Sequence, residues 1–307
     1  MNELDLAIFR LAHEPISIKE LYKKIHLNKA QKTIYTSIYR LEKQGLITKK
    51  QQGKNIIIQL SPQPVSSYLQ TTLENQPHLI KKQIFSTTSL NILLTLLHDS
   101  RTVKWIMEIN QLSERNTRRY LSKLHKTAVI IKHQENTPPH AYSWEINKLQ
   151  QELYQFLEAY EEFRAFKIIE SIDANASLLW VRGIEFLIKT PQSVHQKDFV
   201  KTGAAALDHY GMKLLSTENV YLYTKRTLDL WDHAFLTVLS RKNDANQLRY
   251  LAYLYKKYKP DLAEFIQKGT YYDSQSMHLV LSFFTENKEI PQLTMNDITE
   301  LERLYGA

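Results

Sequence analysis

The first half of the chain carries one pattern twice, and this repeat limits the fold more than any other feature of the sequence. In the first copy, Leu4, Ala7, Ile8 and Leu11 recur at helical spacing and predict an opening helix that ends near His13 and Pro15. Ser17 followed by Glu20 has capping-box spacing, and Ile18, Leu21, Tyr22 and Ile25 supply an apolar stripe for a second helix. A third helix, from about Lys29 to Gln44, buries Ile34, Ile38 and Leu41 and stops at Gly45, where a left-handed cap is wanted. The run LITKKQQGKNIIIQL then reads as two strands around Gln52-Gly53.

The second copy follows the same order. Leu90, Leu93, Leu94 and Leu97 form one helix, Thr102 caps another carrying Val103, Ile106 and Ile109, and Ser113 caps a third with Thr117, Leu121 and Leu124 inward. VIIKHQENTPPHAYSWEI is again strand, turn, strand. Setting Leu41 against Leu124 also pairs Ile38 with Leu121, Lys43 with Lys126, Leu46 with Val129 and Lys49 with Lys132. Ala128 falls where the first copy has Gly45, which predicts a helix end without a left-handed cap.

Charge follows the same division. Residues 1–60 hold 11 Lys and Arg against 5 Asp and Glu, a net +6, and residues 81–148 hold the same numbers. Residues 61–80 contribute −1 and residues 149–307 contribute −3, within a chain net of +8. All the excess positive charge therefore sits on the two repeated blocks, as expected of a surface that neutralises phosphates and releases their counterions.

Helix, helix, turn, helix, hairpin is the winged helix-turn-helix arrangement. TIYTSIYRLEKQGLI (Thr33–Ile47) and LSERNTRRYLSKLHKTAVI (Leu112–Ile130) resemble the recognition helix and first wing strand of MarR- and ArsR-like transcriptional regulators. The likeness covers about 120 residues and departs from the family pattern at Ala128 and at Thr117, which takes an apolar position. It implies a tandem, cytoplasmic DNA-binding regulator that reads double-stranded DNA. With the inward stripes set aside, Lys29, Gln31, Lys32, Thr33, Tyr35 and Thr36 face outward in the first recognition helix, and Arg115, Asn116, Arg118, Arg119 and Ser122 in the second. Arg, Asn, Gln and Lys suit base edges, while Ser, Thr and Tyr suit phosphates. Lys49, Lys50 and Lys54 lie on the first wing. The competing reading of either block is a protein-docking module.

The expected fold class is α+β, mainly α, in four parts: a winged helix-turn-helix at 1–60, a semi-ordered connector at 61–86 whose three prolines flank SSYLQTTLENQ, a candidate short helix, a second winged helix-turn-helix at 87–148, and a strut helix plus α+β sensing or partner domain at 149–307. The strut stripe is Leu149, Leu153, Phe156, Leu157, Tyr160, Phe163 and Phe166. SLLWVRGIEFLIKT reads as a hairpin, MKLL and VYLY as further strands, and the pattern is helical from Thr227 onward.

Chemistry-bearing motifs are sparse in this half. Asp229, Asp232 and His233 share a helix face with metal-ligand spacing, but acidic residues in a first helical turn more simply oppose the helix dipole. Pro260-Asp261 and Glu286-Asn287-Lys288 match a nuclease-like string only in letters, because that chemistry needs the Glu and Lys on a buried strand. The six tyrosines Tyr250, Tyr253, Tyr255, Tyr258, Tyr271 and Tyr272 read as core or interface before they read as a ligand pocket. No phosphate loop, dinucleotide fingerprint or nucleophile elbow occurs. No catalytic residue, metal or cofactor is therefore expected, and the chain is expected not to be an enzyme. With no cysteine, no signal-like start and no apolar run near the ~20 residues of a membrane span, a soluble protein is expected.

A shorter likeness sits in YGMKLLSTENVYLYTKRTLDLWDH (Tyr210–His233), which is similar in layout to the C-terminal domain of AbiEi-like antitoxins. It covers about 25 residues, with Asp229 one position early relative to their R-T-L-x-D helix start. It implies an alternative function, a repressor that also neutralises a nucleotidyltransferase-type toxin. The C-terminal half is thus open to an effector, a protein partner or a second copy of the chain.

Overall fold

The computed structural model describes residues 1–25, 30–81, 84–134, 142–214, 218–241, 244–286 and 289–306. Its fold is α+β and mainly helical, with small antiparallel sheets. It divides into two compact units, Met1–Ser171 with Val181–Ile184, and Ile172–Trp180 with Glu185–Ala307.

The first unit opens with α1 (Glu3–Leu11), β1 (Ile16–Ser17), α2 (Ile18–Lys24), α3 (Gln31–Lys43), β2 (Ile47–Gln52) and β3 (Asn55–Leu60). Two helices follow, α4 (Pro64–Asn75) and α5 (His78–Lys81). The opening order then returns as α6 (Thr87–Thr95), β4 (Arg101–Thr102), α7 (Val103–Asn110), α8 (Glu114–His125), β5 (Ile130–Gln134) and β6 (Tyr142–Ile146). The unit's last helix is α9 (Gln151–Glu170).

The repeat extends to strand register. Ile58 of β3 pairs with Lys49 on one side and Ile16 on the other, and Trp144 of β6 pairs with Lys132 and Arg101. Strands β1 and β4 have two residues each, too short to show alternation, so the sequence reading has only the hairpins. Ser17, Thr102 and Ser113 each accept a backbone N–H three residues ahead and start α2, α7 and α8. Ile34, Ile38 and Leu41 of α3, and Thr117, Leu121 and Leu124 of α8, are buried. Thr117 fits its apolar position because its hydroxyl donates to the Ser113 carbonyl at 3.1 Å.

Three expectations for this unit are corrected. The connector at 61–86 is more ordered than expected: its candidate short helix starts two residues earlier, at Pro64, and runs three turns as α4, with Val65, Leu69 and Leu73 buried. The strut helix belongs to this unit rather than to a domain starting at 149. It packs on α4 and α6, the Thr72 hydroxyl donates to the Glu152 carbonyl at 3.0 Å, and Phe156 lies between Phe85 and Tyr160. Its buried face is Leu153, Phe156, Leu157, Glu161, Ala165 and Ile169, whereas Leu149 and Phe166 of the expected stripe are 90% and 44% exposed. Over 20 residues a straight helix turns an i, i+3, i+4 stripe away from a fixed partner.

The third correction concerns Ala128, which does adopt the left-handed conformation, at φ +57° against +68° for Gly45. Both helix ends close through the same bond, Leu46 N–H to the Leu41 carbonyl and Val129 N–H to the Leu124 carbonyl. The hairpin that follows needs this exit, so the second block accepts the Cβ strain. Ala128→Gly is expected to stabilise the chain by about 0.5–1 kcal/mol, the relief of left-handed strain less the added freedom of the unfolded chain. Gly45→Ala is expected to destabilise it, because its Cβ would also lie 2.6 Å from the Phe163 ring. Chemical denaturation of both variants reads the opposite signs.

The second unit contains a sheet of order β7 (Ser177–Arg182), β8 (Glu185–Thr190), β10 (Asn219–Tyr223) and β9 (Phe199–Thr202). A 3-10 helix spans Gly203–Tyr210, and α10 (Leu230–Ser240), α11 (Ala245–Tyr258), α12 (Leu262–Tyr272), α13 (Ser274–Thr285) and α14 (Met295–Tyr305) complete the unit. The strand expected at MKLL is absent from its described residues, 212–214. Gly211 turns left-handed at φ +80° and Met212 N–H bonds the Leu207 carbonyl, which closes the 3-10 helix instead. The edge place in the sheet belongs to β9.

Candidate nucleic-acid interface

Helices α3 and α8 and the strands after them carry ten of the Lys and Arg side chains described in the first unit. On α3, Gln31, Lys32, Thr33, Tyr35 and Thr36 are exposed, joined by Tyr39 and Lys43. Lys29 lies outside the described residues. The Thr36 hydroxyl donates to the Lys32 carbonyl at 2.9 Å. Arg40, the arginine of this helix, is tied to buried Asp5 at 3.3 Å. On the hairpin, Lys50 and Lys54 are exposed, whereas the Lys49 ammonium meets Glu42 at 2.5 Å.

On α8, Arg115, Asn116, Arg118, Arg119 and Ser122 are all exposed, because burial of Thr117, Leu121 and Leu124 turns them outward. They differ in what holds them. Arg118 pairs with Glu114 at 2.7 Å, an i, i+4 contact worth only tenths of a kcal/mol in water. The Arg119 guanidinium lies over the Tyr120 ring, 5.3 Å from its centroid. Arg115 and Asn116 stand in the first turn, just after the Ser113 cap.

Three residues that the sequence reading did not assign to the site lie beside α3. Lys19, Tyr22 and Lys23 of α2 line a cleft of about 480 Å³ together with Gln31, Tyr35 and Lys54. Tyr22 was expected in the apolar stripe of α2, but it is 47% exposed, and Leu21 is the buried residue of that helix. In its seven residues α2 buries a single side chain, so periodicity could not separate Tyr22 from the core. The signal available was Lys19 and Lys23 on either side of it at i−3 and i+1.

No family model, curated protein or solved structure matches the chain. The groups of the site are ammoniums, guanidiniums, amides, hydroxyls and exposed rings, the set that meets phosphates, sugars and base edges.

The metal-like spacing of the second unit has a structural use. Asp229 caps α10, and Asp232 completes the capping box by accepting the Asp229 N–H at 3.0 Å. Asp232 also takes both ends of the Arg226 guanidinium at 2.8 Å and the Lys268 ammonium at 2.8 Å. Arg226 bonds Glu185 and Tyr272 as well, and the Tyr271 hydroxyl donates to Glu185 at 2.9 Å. Burial alone would push the Asp232 carboxyl up, but Arg226 and Lys268 override it and hold the group well below the usual carboxylate range. His233 is pulled down by burial, against the opposing pull of Asp232 and Asp229, and the Thr202 hydroxyl meets its Nδ1 at 2.8 Å. Among the described residues no group of three His, Asp or Glu is placed to hold a metal. Tyr253, Tyr271 and Tyr272 of the tyrosine set are buried. Asp261 caps α12, while Asn287 and Lys288 lie outside the described residues. None of the described helices is long and apolar enough to cross a membrane.

Proposed function

We propose that the chain is a DNA-binding transcriptional regulator whose first unit reads duplex DNA through two winged helix-turn-helix domains. The observation that carries this reading is α8, where one face buries Thr117, Leu121 and Leu124 and the opposite face exposes Arg115, Asn116, Arg118, Arg119 and Ser122. A docking module has no need of three exposed arginines and an asparagine on one short helix, whereas a major-groove reader needs that set. The net charge of +6 over residues 1–60 and +6 over residues 81–148 supports it by supplying the sequence-independent attraction to phosphates.

The C-terminal α+β domain takes the sensing role. A cleft of about 600 Å³ there is lined by Val238, Leu248, Leu279 and Ile290 together with Asp244 and Asp273. Its size and mixed lining suit a small effector. The segment behind the antitoxin likeness supports this regulator reading over a toxin-binding one, since Arg226 and Asp232 spend their charges in the interior of the unit.

Titration of the intact chain with duplex DNA over a range of salt concentrations tests the proposal. If about six phosphates are contacted, the slope of log affinity against log salt is expected near −5. The intact chain is required, because a fragment ending at 148 lacks α9, which covers Phe85 and α4. A slope near zero, or no binding at low salt, removes DNA from the account.

A further inference from the structure

The two repeated blocks share a fold plan but differ in surface chemistry. Base reading favours Arg, which bonds guanine through two N–H groups, and Asn or Gln, which bond adenine through the amide. The outward face of α8 offers arginines and Asn116. The outward face of α3 offers Lys32, Thr33, Tyr35, Thr36, Tyr39 and Lys43, and its arginine is held by Asp5. Gln31, the exposed amide at the start of α3, lines the cleft shared with α2 and the hairpin. Three further cleft groups are the ammoniums of Lys19, Lys23 and Lys54, none in an ion pair with another described residue. Two are rings, Tyr22 and Tyr35, at 47% and 45% exposure. Lysine meets a phosphate as a point charge and adds no base preference. A tyrosine ring can cover a deoxyribose and point its hydroxyl at the next phosphate.

Resting on the DNA-binding reading, we infer that the cleft between α2, α3 and the β2–β3 hairpin holds the sugar–phosphate backbone of duplex DNA. The first block is then a sequence-neutral anchor, and the second block is the reader. Two similar domains in one chain thus divide affinity from specificity.

The test uses the intact chain and the triple variant Lys19→Gln, Lys23→Gln, Lys54→Gln, whose three positions are all exposed. Glutamine keeps most of each side chain and removes the charge. Three lost phosphate contacts are expected to make the salt slope shallower by about two to three units. Affinity for the preferred duplex and for an unrelated duplex should fall by the same factor, and the base preference found by binding-site selection should not change. An unchanged slope in a chain that still binds duplex DNA overturns the cleft assignment and leaves the DNA reading standing. A changed base preference overturns the anchor role, because the first block would then be reading bases. A single strand of equal length that binds the unmodified chain more tightly than the duplex, with that advantage lost in the triple variant, replaces the duplex backbone with an unpaired strand. Failure of the unmodified chain to bind any duplex removes the proposed function and this inference together.

Discussion

Asp232→Ala is expected to cost the second unit about 3–5 kcal/mol, the range found when one partner of a buried ion pair is removed. The carboxylate is fully buried and accepts from Arg226, Lys268 and Tyr272, so its loss leaves two buried cations with one buried carboxylate, Glu185 beside Arg226, and with the half-exposed Asp229 beside Lys268. It also removes half of the capping box that starts α10. Asp229→Ala is the comparison: it loses the N-cap bond and a half-exposed carboxylate, at about 1 kcal/mol. Hydrogen exchange at the α10 and α12 amides of the intact chain separates the two, since it reports this unit apart from the other. A loss below about 1 kcal/mol for Asp232→Ala would mean that water or a neighbouring carboxylate takes over the cations.

The same group gives stability an acid limb. Its folded pKa is depressed, so its contribution is complete above the ordinary carboxylate range, near pH 4, and is lost as pH falls through the lower folded value. The gap between the natural chain and Asp232→Ala should therefore narrow in acid. A gap that widens as pH falls would contradict the pairing of Asp232 with Arg226.

Legibility in the sequence follows the range of the interaction. Stripes such as Ile34, Ile38, Leu41 and caps such as Ser17, Thr102 and Ser113 act within one or two turns, and their spacing alone discloses them. Charge division is also visible, because it depends only on counting. Strands β1 and β4 escape because two residues carry no period, and they exist only through pairing with β3 and β6. Helix α4 is half legible: SSYLQTTLENQ suggests a short helix, while Pro64, a helix starter at its position, reads as a break. The reach of the first unit to Ser171 depends on α9 meeting α4 and Phe85, a contact between residues some 70–80 positions apart. Tyr22 and Lys19 of the cleft likewise depend on where α2 ends up beside the hairpin. Arg226 and Asp232 are close in sequence, but the network that makes them structural needs Glu185 and Lys268 from elsewhere in the unit.

On the proposed reading α8 is the element that recognises base sequence, and its groups divide by position. Arg118 and Arg119 lie in the second turn, beside Glu114 and Tyr120, while Arg115 and Asn116 occupy the first turn, the end that helix-turn-helix modules insert into the major groove. Each of Arg115→Ala and Asn116→Ala is expected to cost about 1–3 kcal/mol of affinity for the preferred site and to relax discrimination at the base it meets. Arg119→Ala is expected to weaken binding to all sequences alike and to make the salt slope shallower by about one unit. The most direct measurement is a binding-site selection from random duplexes with the intact chain and with these three variants. A defined motif is expected for the unmodified chain, a degraded motif for Arg115→Ala and Asn116→Ala, and the original motif for Arg119→Ala. An unaltered motif in the first two with an altered one in Arg119→Ala, or no motif from the unmodified chain, would contradict this role of α8.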